Sequence, residues 1–274
     1  MTAIAADTGL RETGPSPLTS AKWAISDTLT MTRRNLIVWY RVPAYIFFSV
    51  VQPVIFVLIF RYIFGGAIAV SNSGGYVQFL MPGIIAQTAA FASFGTAIAL
   101  AQELQKGVID RLRSMPMARS AVLAGRLVAD TIRMLVTILI IVAVGYAVGF
   151  RFTGGVGPAI AMIVLATVFG LAICCIAAFT GLAIGDEESV QSFGLIWLFP
   201  LTFVSSAFVP IATMPGWLQA FANNQPVTFV IGAMRALALG HLPVQADLLK
   251  SIAWLIAIFA VFAPLSVRAY KRAA

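Results

Sequence analysis

Charge is what this chain has least of. Only 10% of its 274 residues are Asp, Glu, Lys or Arg, and 60% are hydrophobic; soluble domains usually carry about 25% charged residues. That excludes a soluble globule and indicates a polytopic membrane protein. Residues that carry chemistry are scarce too. A single histidine, His241, leaves little room for acid–base work and is expected in a loop. The two cysteines, Cys174 and Cys175, sit side by side in an apolar run, which suits packing and resembles neither a disulfide framework nor a metal site. There is no G-x-x-x-x-G-K-[ST] phosphate loop, zinc-ligand spacing or G-x-S-x-G elbow. An enzyme is therefore not expected, no residue is assigned a catalytic role, and any ATP that drives the protein is bound by another chain.

What charge there is has a sign and a place. The formal net charge is +8, but the basic residues cluster at the ends of apolar runs instead of forming a face with groove-reading or stacking elements, so nucleic acid is not an expected partner. The longest polar interruption, AQELQKGVIDRLRSMPMARSAVLAGR at 101–126, carries Lys106, Arg111, Arg113, Arg119 and Arg126 against Glu103 and Asp110. Such a loop stays in the cytoplasm. Glu103 with Lys106, and Asp110 with Arg113, stand three apart and predict pairs along one helical face, with Leu104, Val108, Ile109 and Leu112 on the other. The spacing predicts one short amphipathic helix over about 102–115, stopped near Pro116.

Around that loop the hydropathy divides the chain. Residues 1–19 read as a flexible cytoplasmic leader without the pattern of a cleaved signal. Residues 20–41 place Ile25, Leu29, Leu36 and Tyr40 on one face and Asp27, Arg34 and Arg41 on another, with Thr32 interrupting the apolar side, as in a helix lying in the membrane interface. Membrane spans are predicted at about 42–60, 78–100, 127–150, 158–184, 190–212 and 251–267. Pro53 is expected to kink the first, and Asp130 to pair with Arg133 near the cytoplasmic end of the third. Gly145 with Gly149, and Gly181 with Gly185, have the spacing that lets helices approach closely. The one acidic cluster, Asp186 to Glu188, suits the positive end of the fifth span's dipole or a basic patch on a cytoplasmic partner. Between 213 and 249, a short interfacial helix at Trp217 and a segment from Pro226 to Leu239 predict a re-entrant pair on the outer side. Thirteen basic residues then fall inside, against Arg61, Arg151, Arg235 and Lys250 outside and Arg133 within a span, which places both termini in the cytoplasm. The spans show no charge near their midpoints, so a cavity lined by Phe, Trp, Ser, Thr and Gln, taking amphiphilic or lipid-like cargo, is expected.

Two separated stretches carry a resemblance. Glu103, Gly107, Arg111, Leu112, Pro116, Arg119 and Gly125-Arg126 resemble the central-loop signature of the ATP-binding-cassette (ABC) type 2 permeases. Ser205, Phe208, Pro210, Pro215, Trp217, Pro226, Arg235 and Gly240, within 199–240, resemble the daunorubicin/doxorubicin-resistance branch of that family. The resemblance covers about Arg33 to the C-terminus. It implies an all-α fold over 42–274: six transmembrane helices, an N-terminal elbow helix, a cytoplasmic coupling helix and outer re-entrant helices. It also implies a permease subunit of the bacterial plasma membrane that works as a dimer, with an identical or related second permease. A separate nucleotide-binding ATPase would supply ATP and Mg chemistry, this chain binding no cofactor or metal itself.

The expected cargo is a hydrophobic or amphiphilic drug, antibiotic or cell-envelope lipid. The coupling residues are expected at Glu103, Lys106, Gly107, Asp110, Arg111, Arg113, Pro116 and Arg119. Because the family's second and fifth spans face the dimer axis, Gln87, Phe91, Phe94, Trp197 and Phe203 are candidates for the cargo path. A secondary transporter would instead need an inverted repeat or a midplane ion site, and a nontransporting membrane assembly factor would share the hydropathy without cargo-stimulated hydrolysis.

Overall fold

The computed structural model describes residues 17–41, 43–66, 75–113, 119–240 and 242–272; His241 is outside them. The described residues form ten α-helices and no strand. A segment this apolar must satisfy its own backbone N–H and C=O groups where water is absent, and a helix does so within itself. In chain order they are α1 (Pro17–Arg41), α2 (Pro43–Ile59) prolonged by a π turn (Phe60–Phe64), α3 (Tyr76–Gln105), α4 (Val108–Arg113), α5 (Arg119–Ala147), α6 (Val156–Ile184), α7 (Glu187–Phe203), α8 (Gly216–Ala222), α9 (Pro226–Leu239) and α10 (Gln245–Arg272). Four of them, α3, α5, α6 and α10, are long and apolar enough to cross a membrane.

The centre is α3. Two thirds of its apolar window, 67%, is buried, against 17% for α10, so the other helices pack around α3 while α10 keeps most of its surface outward. Small residues let α6 lie against it: a Cβ on Gly181 would meet the Ala97 carbonyl oxygen at 2.3 Å, and the Ser93 hydroxyl donates to Gly170 O at 2.8 Å. The expected glycine pairs therefore divide their work. Gly181 and Gly145 stand against neighbouring atoms, whereas Gly185 and Gly149 have nothing within 4 Å of an added Cβ and instead take the positive φ that follows a helix. Large apolar side chains such as Leu139, Ile160, Val164, Ile196, Ile256 and Val261 face outward, which suits hydrocarbon and not water.

The expected fifth span, 190–212, is helical only as far as Phe203. At about 1.5 Å per residue, the 17 residues of α7 reach roughly 26 Å, short of a hydrocarbon core of about 30 Å. The stop is made by hydroxyls. Ser205 donates to Thr202 O at 2.6 Å and accepts from the Ala207 amide at 3.2 Å, offering the backbone a turn in place of the helical ladder. The returning chain forms α8, with Trp217 exposed, and then α9, which opens on Pro226 and closes on Gly240 as the sequence predicts.

Arg235 is where expectation and structure part. Counted above among the outer basic residues, it is 8% exposed. Its Nε and Nη2 donate to Phe79 O at 3.2 and 3.0 Å, Nη2 also reaches Ser206 O at 2.9 Å, and the guanidinium lies 3.8 Å from the centroid of the Phe79 ring. One side chain thus ties α9 to α3 and to the turn after α7. Beside it, a Cβ on Gly83 would meet Ala207 O at 2.3 Å, so the turn needs that glycine to come so close. Arg235→Ala leaves these carbonyls without their donor and should destabilise the purified protein by about 3 kcal/mol, the range of a lost charged hydrogen bond in a buried site. Arg235→Lys keeps the charge but not the planar fork and should recover only part of it; thermal unfolding in detergent measures both.

Candidate coupling end and transport cleft

The central polar stretch is more helical than its composition suggests, because α3 and α5 extend into it from both sides. Helix α3 closes on Lys106 and Gly107. The Lys106 amide reaches Gln102 O at 3.0 Å and the Gly107 amide Leu104 O at 3.0 Å, with Gly107 at φ +62°, a left-handed value that a Cβ disfavours. The single helix expected over 102–115 is therefore two pieces, α3 and the six-residue α4. The apolar stripe survives the break. Ile109 is buried, and Leu104 and Val108 pack beside it against Met31 of α1, Leu100 of α3, Val122 and Leu123 of α5, Leu182 of α6 and Tyr270 of α10. Short as it is, α4 is seated in a core shared by five longer helices.

The charges pair differently from the expectation. Glu103 accepts from Arg34 at 3.1 Å and pairs with Arg126 at 3.3 Å; it turns inward to α1 and α5 and not along its own helix to Lys106. Asp130 pairs with Arg133 at 3.0 Å as expected, and also with Arg126 at 3.7 Å, while Thr96 donates to it at 2.6 Å. Side-chain exposures of 18% for Glu103 and 7% for Asp130 make this a largely desolvated chain of ion pairs, in which each carboxylate needs its cations. Thr32, which seemed to interrupt the apolar face of α1, is buried and donates to Gly125 O at 3.1 Å. A Cβ on Gly125 would meet Met31 Cβ at 2.6 Å, which explains a glycine before Arg126. Lys106 and Arg111 are exposed. Asp110, Arg113 and Arg119 have described helical backbones, but their side chains, and Pro116 altogether, are outside the described residues.

A second polar link runs from the end of α3 to the start of α7. Gln102 Nε2 donates to Glu187 at 2.6 Å and Gln105 Nε2 to Asp186 at 3.0 Å. Asp186 caps α7, accepting from the Ser189 amide at 2.8 Å. Hydrogen bonds from the Ser189 side chain and then its amide, with a smaller one from Gln105, hold the Asp186 carboxyl below its usual value. The acidic cluster's helix-end role is thus seen directly.

Between α1, α2, α3 and α5 opens a cleft of about 530 Å³, within the size range of small-molecule sites. Of the five cargo-path candidates it contains two, Gln87 and Phe91. The others lie elsewhere: Phe94 packs on Gly194, where a Cβ would meet its ring at 1.8 Å, Trp197 packs on the main core, and Phe203 stacks between Phe199 and Phe208 at 5.3 and 5.2 Å. Even so, Phe91 and Phe203 join one aromatic row. Phe91 meets Phe199 edge-on at 5.4 Å, and Phe208 stacks on Phe60 at 4.4 Å, next to Phe56 in the cleft wall. Nor is the cleft lined by neutral residues alone, as expected. Arg34, Glu103, Lys106, Arg126, Asp130 and Arg133 form one end. Arg34 and Arg126 went unassigned because their partners are 69 and 23 residues away in the chain, a distance periodicity does not bridge.

Comparison with known proteins settles the family. The model of the ABC-2 type transporter family matches residues 26–239. The chain belongs to the ABC-2 type transporters. It is 37% identical over 252 residues, 90% of this chain and 87% of the other, to the daunorubicin resistance ABC transporter permease protein DrrB1 of Streptomyces coeruleorubidus. It is 30% identical over 260 residues, 94% and 93%, to the probable doxorubicin resistance ABC transporter permease protein DrrC of Mycobacterium tuberculosis H37Rv. A more distant relative is the putative transport permease ycf38 of Cyanophora paradoxa, 26% identical over 219 residues, 78% and 74%. The chain is accordingly an ABC-2 permease component and not an enzyme, the ATPase being a separate chain.

Because the folded Asp186 carboxyl is depressed, its capping contribution is present above the unfolded carboxylate value near about 4 and is lost as pH falls through the lower folded value. Amide exchange over the first turn of α7, corrected for intrinsic rates, should show protection that is flat through neutral pH and collapses only in acid. Asp186→Ala should remove that protection at all pH values.

Proposed function

We propose that this ABC-2 permease is the membrane half of an ATP-driven exporter that moves a hydrophobic or amphiphilic compound, such as a drug, an antibiotic or a cell-envelope lipid, out of the cytoplasm or inner leaflet of a bacterial plasma membrane. The daunorubicin and doxorubicin resistance permeases among its relatives support that cargo class. The reading gives the chain six crossings, at α2 with its π turn, α3, α5, α6, α7 and α10, with α1 as the elbow, α8 and α9 re-entering from outside, and both termini in the cytoplasm. It works as a dimer of permeases beside a nucleotide-binding subunit that holds ATP and Mg.

One observation carries the coupling role: Ile109 and Val108 of α4 are rooted in a core shared with α1, α3, α5, α6 and α10. Packed interiors shift as discrete units and do not deform continuously, so an ATPase that moves α4 moves the inner ends of those helices together. Glu187 and Asp186, held by Gln102 and Gln105, pass the same displacement to α7. Lys106, Asp110, Arg111, Arg113 and Arg119 then offer the polar contacts to the ATPase, with Gly107 and Pro116 setting the bends on either side of α4. Glu103 belongs to the internal network and acts by holding α1 and α5 on α3.

The test is reconstitution in vesicles with the cognate ATPase. Reversing Arg111 and Arg113 to Glu together should weaken ATPase association and cargo-stimulated hydrolysis by about tenfold or more, as expected for truncated charge pairs at an interface, while the permease still elutes as a single folded species. Intact association and transport in that variant would remove the docking role. Transport that survives ATP depletion but stops when the proton gradient collapses would make the chain a secondary transporter.

A further inference from the structure

The cleft between α1, α2, α3 and α5 has a sign. Four cationic side chains line it, Arg34, Lys106, Arg126 and Arg133, against two carboxylates, Glu103 and Asp130. The two carboxylates are already shared among the three guanidinium groups, so the pairing inside the protein leaves an excess of two positive charges at this end. Two lining residues also keep buried donors without an acceptor. Arg126 Nε is 3.7 Å from Asp130 Oδ2, beyond hydrogen-bond reach, and Trp39 Nε1 has no partner. No lining residue carries an orphaned acceptor. Buried donors left unmet are uncommon because each forfeits its hydration. The opposite part of the cleft is apolar, with Val38, Pro53, Phe56, Phe91 and Ile98 in its walls. One end asks for negative oxygen, the other for hydrocarbon.

From this we infer that the cleft binds an amphiphile with an anionic headgroup, a phosphate or carboxylate on a hydrophobic tail. The oxygens sit among Arg126, Arg133, Lys106 and the Trp39 indole, and the tail lies along Phe56 and Phe91. This names the headgroup class that the exporter would draw from the membrane. It rests on the exporter reading only for what happens after binding.

Binding is measured on the purified permease alone, without ATPase, in uncharged alkyl-maltoside micelles. The probe is a fluorescently tailed alkyl phosphate, followed by anisotropy, with the trimethylammonium compound of the same tail as its counterpart. The alkyl phosphate should saturate and bind about tenfold more tightly than the trimethylammonium compound, and Arg133→Gln with Lys106→Gln should abolish about that tenfold preference, the scale of lost charged hydrogen bonds. Inorganic phosphate at the same concentration should not displace the probe, since it lacks the tail. Equal affinity for the two headgroups overturns the assignment, as does an unchanged preference in a monodisperse double variant. Displacement by inorganic phosphate as readily as by alkyl phosphate makes this a free-anion site and overturns it too. If the double variant aggregates, Trp39→Phe, which keeps the ring and removes one orphaned donor, decides: a weaker affinity for alkyl phosphate supports the site and an unchanged one sinks it. With no nucleotide in the assay, failure here leaves the exporter reading intact, and failure of the exporter reading leaves this result standing.

Discussion

Glu103 and Asp130 hold three guanidinium groups between them, and through those contacts α1, α3 and α5 become one body. In a protein this apolar, a carboxylate is stable away from water only if its cations and donors come with it. Asp130 has Arg133, Arg126 and the Thr96 hydroxyl; Glu103 has Arg34 and Arg126. The hydrophobic contacts at this end, around Ile109, Met31 and Leu182, are non-directional and would tolerate sliding. The ion pairs set the register in which those contacts form.

The other end is fixed by the same rule with the sign reversed. There a single cation, Arg235, is supplied with backbone carbonyls and an aromatic face in place of a carboxylate. The broken α7 frees those carbonyls, since the turn at Ser205 to Ala207 leaves Ser206 O outside a helical ladder. The break and the buried arginine are thus one device, and α9 is seated by it. Helix α3 runs between the two devices, with Phe79 at one end and Glu103 at the other, so a movement applied at α4 meets a long element held at both of its ends.

Function follows from what lies between these anchors. The aromatic row from Phe91 through Phe199, Phe203 and Phe208 to Phe60 joins α3, α7 and α2 without a single hydrogen bond, so its members can shift against one another at little expense. The cleft beside it has charge at one end and rings along its wall. A rigid charged end, a seated driver helix and a slippery aromatic seam are what a permease moved by a partner chain requires.

Much of this was legible in the residues themselves. Hydropathy alone reports a helical membrane protein, because a chain with so few charges has no other way to satisfy its backbone. Pro226 and Gly240 mark α9, and Asp130 announces Arg133 one helical turn away. Tertiary structure decided what local pattern cannot carry. The Thr32–Gly125 contact joins residues 93 apart and the Arg235–Phe79 contact residues 156 apart, so in sequence they read as an interrupted apolar face and an outer-loop charge. The stop at Phe203 is made by two serines that hydropathy averages into their neighbours, and the break at Gly107 by one backbone angle. Composition tells a chain which solvent it must live in; only the folded arrangement says which buried polar groups will answer one another.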